Sequence, residues 1–278
     1  MSLYRHLTLG KSVSYLDQYD ADLLQTVPRH PQRAALGLDG HALPFQGEDI
    51  WTLYELSWLD LQGHPQVAIG ELRIDALSPQ LVESKSLKLY LNSLNLTHFL
   101  NWRQLADCVE QDLSQRLAGR VTLRLYSLSE FAKPTHYTLP GIIIDEQPSQ
   151  LPFETTQGPD PTQLLVTSQT TTVEEQLVSH LFRSNCPVTG QPDWASVQVH
   201  YQGLPIDREA LLRYLLSFRR HAGFHEQCVE QIFCDLIQHC QCQYLSVLAR
   251  FTRRGGIDIN PFRSNWQPSP QNQRLTRQ

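Results

Sequence analysis

The chain has 278 residues, 41% of them hydrophobic and 18% charged, with a formal net charge of −5. That composition suits a globular protein with a sizeable core, built as one large domain or two small ones, and the missing basic surplus argues against a direct nucleic-acid partner. No window approaches the roughly 20 consecutive apolar residues that span a bilayer, and residues 1–22 lack a basic segment followed by a long apolar run, so a cytoplasmic protein with no membrane partner is expected.

In the first half, residues 52–61 and 65–74 read as strands either side of a turn at Gly63, with Gly70 marking a bulge. Residues 86–99 fit both alternation and a helical face, and helix is the reading taken. Trp102, Leu105, Ala106, Val109 and Leu113 share one side of a helix that ends near Gly119. Val121, Leu123 and Leu125 alternate as a strand, and residues 141–145 read as another, so the order is β-β-α-α-β-β.

A stretch rich in Pro, Gln and Thr over 147–161 reads as a linker, and beyond it the same order returns. Residues 172–182 form a strand, and Ala195, Val197, Val199 and Tyr201 alternate in a second. Asp207 caps a helix that Ile206 and Leu211 are placed to staple and Gly223 closes. Val229, Ile232, Phe233, Leu236, Ile237 and Cys240 face the core from the next helix, and Leu245, Val247, Ala249 and Phe251 alternate in a last strand up to Gly255-Gly256. Equivalent elements recur about 120 residues apart, too long a period for a solenoid repeat. The division expected is an N-terminal α+β unit with an extension over 1–150 and a C-terminal unit over 151–278, with a ligand cleft between them.

Six cysteines (108, 186, 228, 234, 240, 242) fall at irregular spacings in a chain too large to need disulfide staples, so reduced thiols are expected. Cys186 and Asp193 frame a loop dense in Pro, Gly and Asn, the kind of segment that holds functional groups. A thiol with a pKa of about 8.5 needs a nearby base to act as a nucleophile near neutrality, and Asp193 and His225 are the candidates. The competing readings are a Cys that fills a small apolar space and a Glu226 that merely suits a helix start. His221, His225 and Cys228 have the spacing of a zinc face, but Gly223 interrupts it, and Cys240-Gln241-Cys242 is spaced too tightly for a structural zinc site. No metal is expected. No Gly-x-Gly-x-x-Gly occurs, so a Rossmann domain is not supported. Arg253-Arg254-Gly255-Gly256 could instead hold a cofactor phosphate by guanidinium and backbone N–H contacts, the competing and commoner reading being plain exposed surface arginines.

Four blocks in this order, Glu83-Ser84-Lys85-Ser86-Leu87-Lys88-Leu89-Tyr90, the loop from Cys186 to Asp193, Phe224-His225-Glu226 and Arg253-Arg254-Gly255-Gly256, resemble the long, two-module form of the 7-cyano-7-deazaguanine reductases over roughly residues 45–265. The resemblance implies tandem tunnelling-fold units, each an antiparallel four-stranded sheet with two helices on one face. It implies an NADPH-dependent nitrile reductase of tRNA queuosine synthesis that forms a homodimer. Cys186 would carry a covalent thioimidate, Asp193 would supply a proton and His225 would assist proton transfer. Val82, Glu83, Ser84, His225 and Glu226 would hold the substrate, and Ser84, Lys85, Arg254 and Gly255 would hold NADPH. The rival expectations are a zinc-dependent tunnelling-fold enzyme acting on a purine or pterin without redox chemistry, and a catalytically silent scaffold.

Overall fold

The computed structural model describes residues 16–38, 42–131, 137–146 and 158–278. Most of the expected linker, and the first part of the N-terminal extension, lie outside the described residues. In chain order the main elements are β1 (Gln46–Leu59), β2 (Pro65–Asp75), α1 (Ser84–Ser93), α2 (Trp102–Leu117), β3 (Val121–Tyr126), β4 (Val173–Asn185), β5 (Pro192–Gly203), α3 (Arg208–Ser217), α4 (His225–Cys240), β6 (Tyr244–Phe251) and β7 (Ile257–Ser264). They form two compact units: unit 1 is Met1–His41, Asp49–Thr135 and Arg253–Ile259, and unit 2 is Ala42–Glu48, His136–Thr252 and Asn260–Gln278. No described helix is long and apolar enough to cross a membrane.

In unit 1 the strand order is β3, β2, β1 and then the first residues of β7. Leu72 pairs with Leu123 and Ile74 with Val121 across the antiparallel β2–β3 ladder, and this face packs against Leu87, Tyr90 and Leu94 around α1 and Leu105, Val109 and Leu113 of α2. The helical reading of 86–99 therefore holds through Ser93. Gly70 pairs in register with Leu125, so no bulge forms on that side. A Cβ there would lie 2.6 Å from Leu56 Cδ1, and the missing side chain instead makes room for the leucines of β1.

The short strand expected over 141–145 does not complete this sheet. Only Ile142–Ile143 is extended, exposed, and paired in parallel with Leu177 and Val178 of β4, which places it in unit 2. Two exposed residues bury too little apolar surface to hold an edge by themselves, and β7 takes the fourth place in unit 1.

Unit 2 runs β4, β5, β6, β7 in antiparallel order. A register shift in β4 falls between Ser179 and Phe182, and since side chains alternate with period 2, the extra residue swaps the faces of everything beyond it. Before the shift, Val178 joins Leu248, Phe262 and Leu275 on the face away from the helices. After it, Phe182 meets Phe218 and Phe251 on the helix side. β6 is buried on both faces because Gln267, Gln271 and Asn272 of the C-terminal segment cover its far side, so its Ser246 and Arg250 are as enclosed as the expected Val247 and Phe251. Arg250 donates from Nη1 to Asn272 Oδ1 and from Nη2 to the Gln271 carbonyl.

Asp207 caps α3 as expected, accepting from the Ala210 N–H at 2.9 Å. Gly223 does not close that helix. It stops at Ser217, whose hydroxyl turns back onto the Tyr214 carbonyl, and a 3-10 turn, Phe218–Arg220, carries the buried Phe218 inward.

The two units repeat one local design. In unit 1 Tyr90 donates to Asp112, Ser93 donates to the Tyr90 carbonyl, the Asp20 N–H donates to Ser93, and the Glu83 N–H donates to the Gln25 carbonyl. In unit 2 Tyr214 donates to Asp235, Ser217 to the Tyr214 carbonyl, the Asp160 N–H to Ser217, and the Asp207 N–H to the Leu165 carbonyl. Each set ties the two helices to the strap that precedes the sheet.

Candidate active site

The thiol sits at the end of the β4–β5 hairpin. Ser184 pairs with Asp193 and Asn185 with Pro192, after which the Cys186 N–H donates to the Gln191 carbonyl at 2.8 Å and the Gly190 N–H to the Cys186 carbonyl at 2.9 Å. Gly190 has φ +70°, which only a residue without Cβ adopts cheaply. Both backbone polar groups of Cys186 are thus fixed. The bulge upstream puts Ser184 on the helix side with Phe182, and by the same alternation Cys186 and Asp193 face that way too.

A second set of contacts brings the start of α4 to the same place. The Asn185 N–H donates to the His221 carbonyl, the Gly223 N–H donates back to the Asn185 carbonyl, and Asn185 Nδ2 reaches the Arg219 carbonyl at 3.1 Å. This stitched segment leads into His225 and Glu226, the first residues of α4. His225 Nε2 lies 3.5 Å from Asp193 Oδ2, and its ring stacks on Phe251 with centroids 3.7 Å apart and planes 2° from parallel. Its Nδ1 is buried with no hydrogen-bond partner. Cys186, Asp193 and Glu226 are all buried.

Cys228 lies one turn into α4, and burial pushes its thiol up to about 12, with the Asp193 and Glu226 carboxylates adding to the rise. It stays a protonated thiol and is not a competing nucleophile. Burial also lowers the pKa of His221, which keeps that ring neutral.

Unit 1 gathers the remaining expected residues. Val82 ends a short strand, Gln80–Val82, and Glu83 caps α1, its two carboxylate oxygens accepting from the Lys85 N–H at 2.7 Å and the Ser86 N–H at 2.8 Å. Glu83 is fully buried, while Ser84 and Lys85 are half-buried. Arg254-Gly255-Gly256-Ile257 forms a tight hairpin turn, closed by hydrogen bonds in both directions between Arg254 and Ile257. Both central glycines have positive φ, 61° and 79°, as a type I′ turn requires. Lys88 Nζ donates to the Gly255 carbonyl at 2.7 Å and to Glu55 Oε2 at 2.8 Å, which joins α1 to that turn. Arg253 covers the Tyr54 ring at 4.7 Å and leaves Arg254 exposed.

The sequence reading missed two parts. Phe251, taken only as a core residue, is the platform for His225, and Lys88, inside a quoted block but given no role, is the clamp on the glycine turn. Neither role has a signature in residue type.

The chain is therefore an α+β protein of two like units, one of which holds a thiol, a carboxylic acid and an imidazole at one hairpin end. A family model described as nitrile reductase, 7-cyano-7-deazaguanine-reductase N-term, matches residues 15–125, and a QueF-like protein model matches residues 192–270. The chain belongs to the 7-cyano-7-deazaguanine reductase family of nitrile reductases. Val82, Glu83, Ser84 and Lys85 fall in the first match and Asp193, His225, Glu226, Arg254 and Gly255 in the second, while Cys186 lies between the two. Among solved structures, the archaeosine synthase QueF-Like in the apo form is similar at 17% identity, covering 36% of this chain and 100% of that one with a TM-score of 0.31.

Proposed function

We propose that the protein reduces the nitrile of 7-cyano-7-deazaguanine to the amine 7-aminomethyl-7-deazaguanine, with NADPH as reductant, in the pathway to tRNA queuosine. The observation that supports this reading is the placement of Cys186 on the face where Asp193 and His225 lie 3.5 Å apart. The Cys186 thiol gives its proton to Asp193 as the sulfur adds to the nitrile carbon, one carbon–nitrogen π bond opens onto nitrogen, and Asp193 passes that proton to the nitrogen, leaving a thioimidate. His225, held flat on Phe251, orients Asp193 and relays its proton. Glu226 and Glu83 accept from the N–H and amino groups of the deazaguanine. Both Glu83 oxygens already accept one N–H each, and a carboxylate oxygen carries two lone pairs.

Exposed Arg254 beside a glycine turn, with the half-buried Lys85 at the start of α1, suits a phosphate-bearing cofactor by charge and by open backbone. NADPH would supply two hydrides in turn, four electrons in all. Ser84, Lys85, Arg254 and Gly255 bind it, and Lys88 holds the Gly255 carbonyl in place. The expected assembly is a homodimer.

The test is intact-mass spectrometry of the purified chain mixed with 7-cyano-7-deazaguanine alone, beside Cys186→Ala, followed by NADPH. One adduct of substrate mass, missing in the variant and discharged with two NADPH per amine, is expected. A folded chain that forms no adduct and oxidises no NADPH would falsify the assignment.

A further inference from the structure

Unit 2 gathers three guanidinium groups around one indole. The Cζ atoms of Arg183, Arg219 and Arg277 lie 5.5, 5.7 and 5.9 Å from the centroid of the Trp194 ring. No two can be more than about 12 Å apart, close to the ~8–10 Å over which salt screens charge, so they repel one another. Among the described residues none of the three has a carboxylate within ion-pair distance. Arg183 reaches Asn185 Oδ1 at 3.2 Å and Arg277 reaches the His180 carbonyl at 2.8 Å, both neutral acceptors. Asp145, on the same stretch, is engaged by the His180 N–H.

Arg183 also carries a buried Nε with no hydrogen-bond partner, a donor whose loneliness costs free energy. The cluster is held in place before any ligand arrives. Arg183 and Trp194 are cross-strand partners, and Asn185 fixes both the Arg183 guanidinium and the Arg219 carbonyl. Neighbours of Phe182 and Ala195 in their strands, Arg183 and Trp194 face the other way, so the cluster lies behind Cys186 and Asp193 and does not touch the reacting carbon.

We propose that Arg183, Arg219 and Arg277, arrayed around Trp194, bind a phosphate group. Guanidinium forks match paired phosphate oxygens, and an anion among them would relieve the repulsion. Two sources carry that group: a phosphate of the dinucleotide, an assignment that rests on the NADPH reading above, or a free phosphate.

Calorimetric titration of the full chain with inorganic phosphate, NADPH and NADH tests it, beside the variants Arg183→Gln, Arg219→Gln and Arg277→Gln and the triple variant, each checked for fold by thermal unfolding. The expected result is saturable binding of a phosphate ligand that weakens at least tenfold in the variants. Loss for NADPH with NADH unaffected assigns the group to the nucleotide's extra phosphate, equal loss for both assigns it to the shared diphosphate, and loss confined to inorganic phosphate assigns it to a free ion. Should the triple variant fail to fold, exposed Arg277→Gln decides alone. Binding unchanged in the folded variants, or no saturable binding of any of the three, overturns the proposal, as does a change confined to oligomeric state, which would give the arginines to a second copy of the chain. The Cys186 adduct forms without any phosphate ligand, so the nitrile reading and this one fail separately.

Discussion

Phe251 joins the candidate chemistry to the far end of the described chain. Gln278 Nε2 donates to the Phe251 carbonyl at 3.0 Å and to Asn260 Oδ1 at 2.7 Å, and that same Oδ1 accepts from the Phe251 N–H. His225 thus rests on a ring whose backbone is pinned on both sides. Phe251→Ala removes the platform and a buried ring together, for an expected loss of about 3–5 kcal/mol in urea unfolding, with slower adduct formation at Cys186 in whatever fraction stays folded. Asp193→Asn keeps the shape and removes the acid. Turnover should fall about 10²–10⁴-fold, the usual worth of a positioned proton donor, with the melting temperature nearly unchanged. A variant within twofold of the parent would remove Asp193 from the mechanism.

The tyrosine–aspartate ties between helices permit a paired measurement. Tyr214→Phe strands a buried Asp235, although Gln231 still donates to it, whereas Tyr90→Phe leaves a half-exposed Asp112 that water and Tyr19 can satisfy. Leaving a buried acceptor short costs about 1–3 kcal/mol, so urea denaturation should show the larger loss at Tyr214, and the reverse order would contradict this account. At this scale the sequence was readable wherever periodicity decides: the faces of α1, α2 and α4, and the cap at Asp207. It was silent on the shift between Ser179 and Phe182, because one extra residue changes the facing of a strand without changing its composition. Cys186 was found through its neighbours in the chain, but its direction depends on that shift. The misplaced helix end at Gly223 has a similar origin, since the residue serves a hydrogen bond to Asn185 that only the folded chain supplies.

Across the molecule, burial pushes the thiols of Cys228, Cys240 and Cys242 up to about 12, well above the ~8.5 of a thiol in an unfolded chain. The folded protein keeps protons that the unfolded chain gives up, so this part of its stability is whole below about pH 8.5 and is lost as pH rises toward 12. Unfolding midpoints in urea should fall steadily above pH 9, and Cys240→Ala should make the fall shallower. A flat profile would mean that these thiols are not enclosed as described.

The matched ties also show where the two halves differ. Gln25 with Glu83 and Leu165 with Asp207 mark the same joint in each half, yet the path from joint to first strand is short in the second half and long in the first, where it takes in the helix His30–Ala35. Arg29, paired with Asp49, and Arg33, bound to the Ala76 carbonyl, are buried and pin that otherwise largely exposed piece. The first unit thus carries a segment the second lacks, fastened by two buried arginines, while the second holds the thiol at its hairpin end.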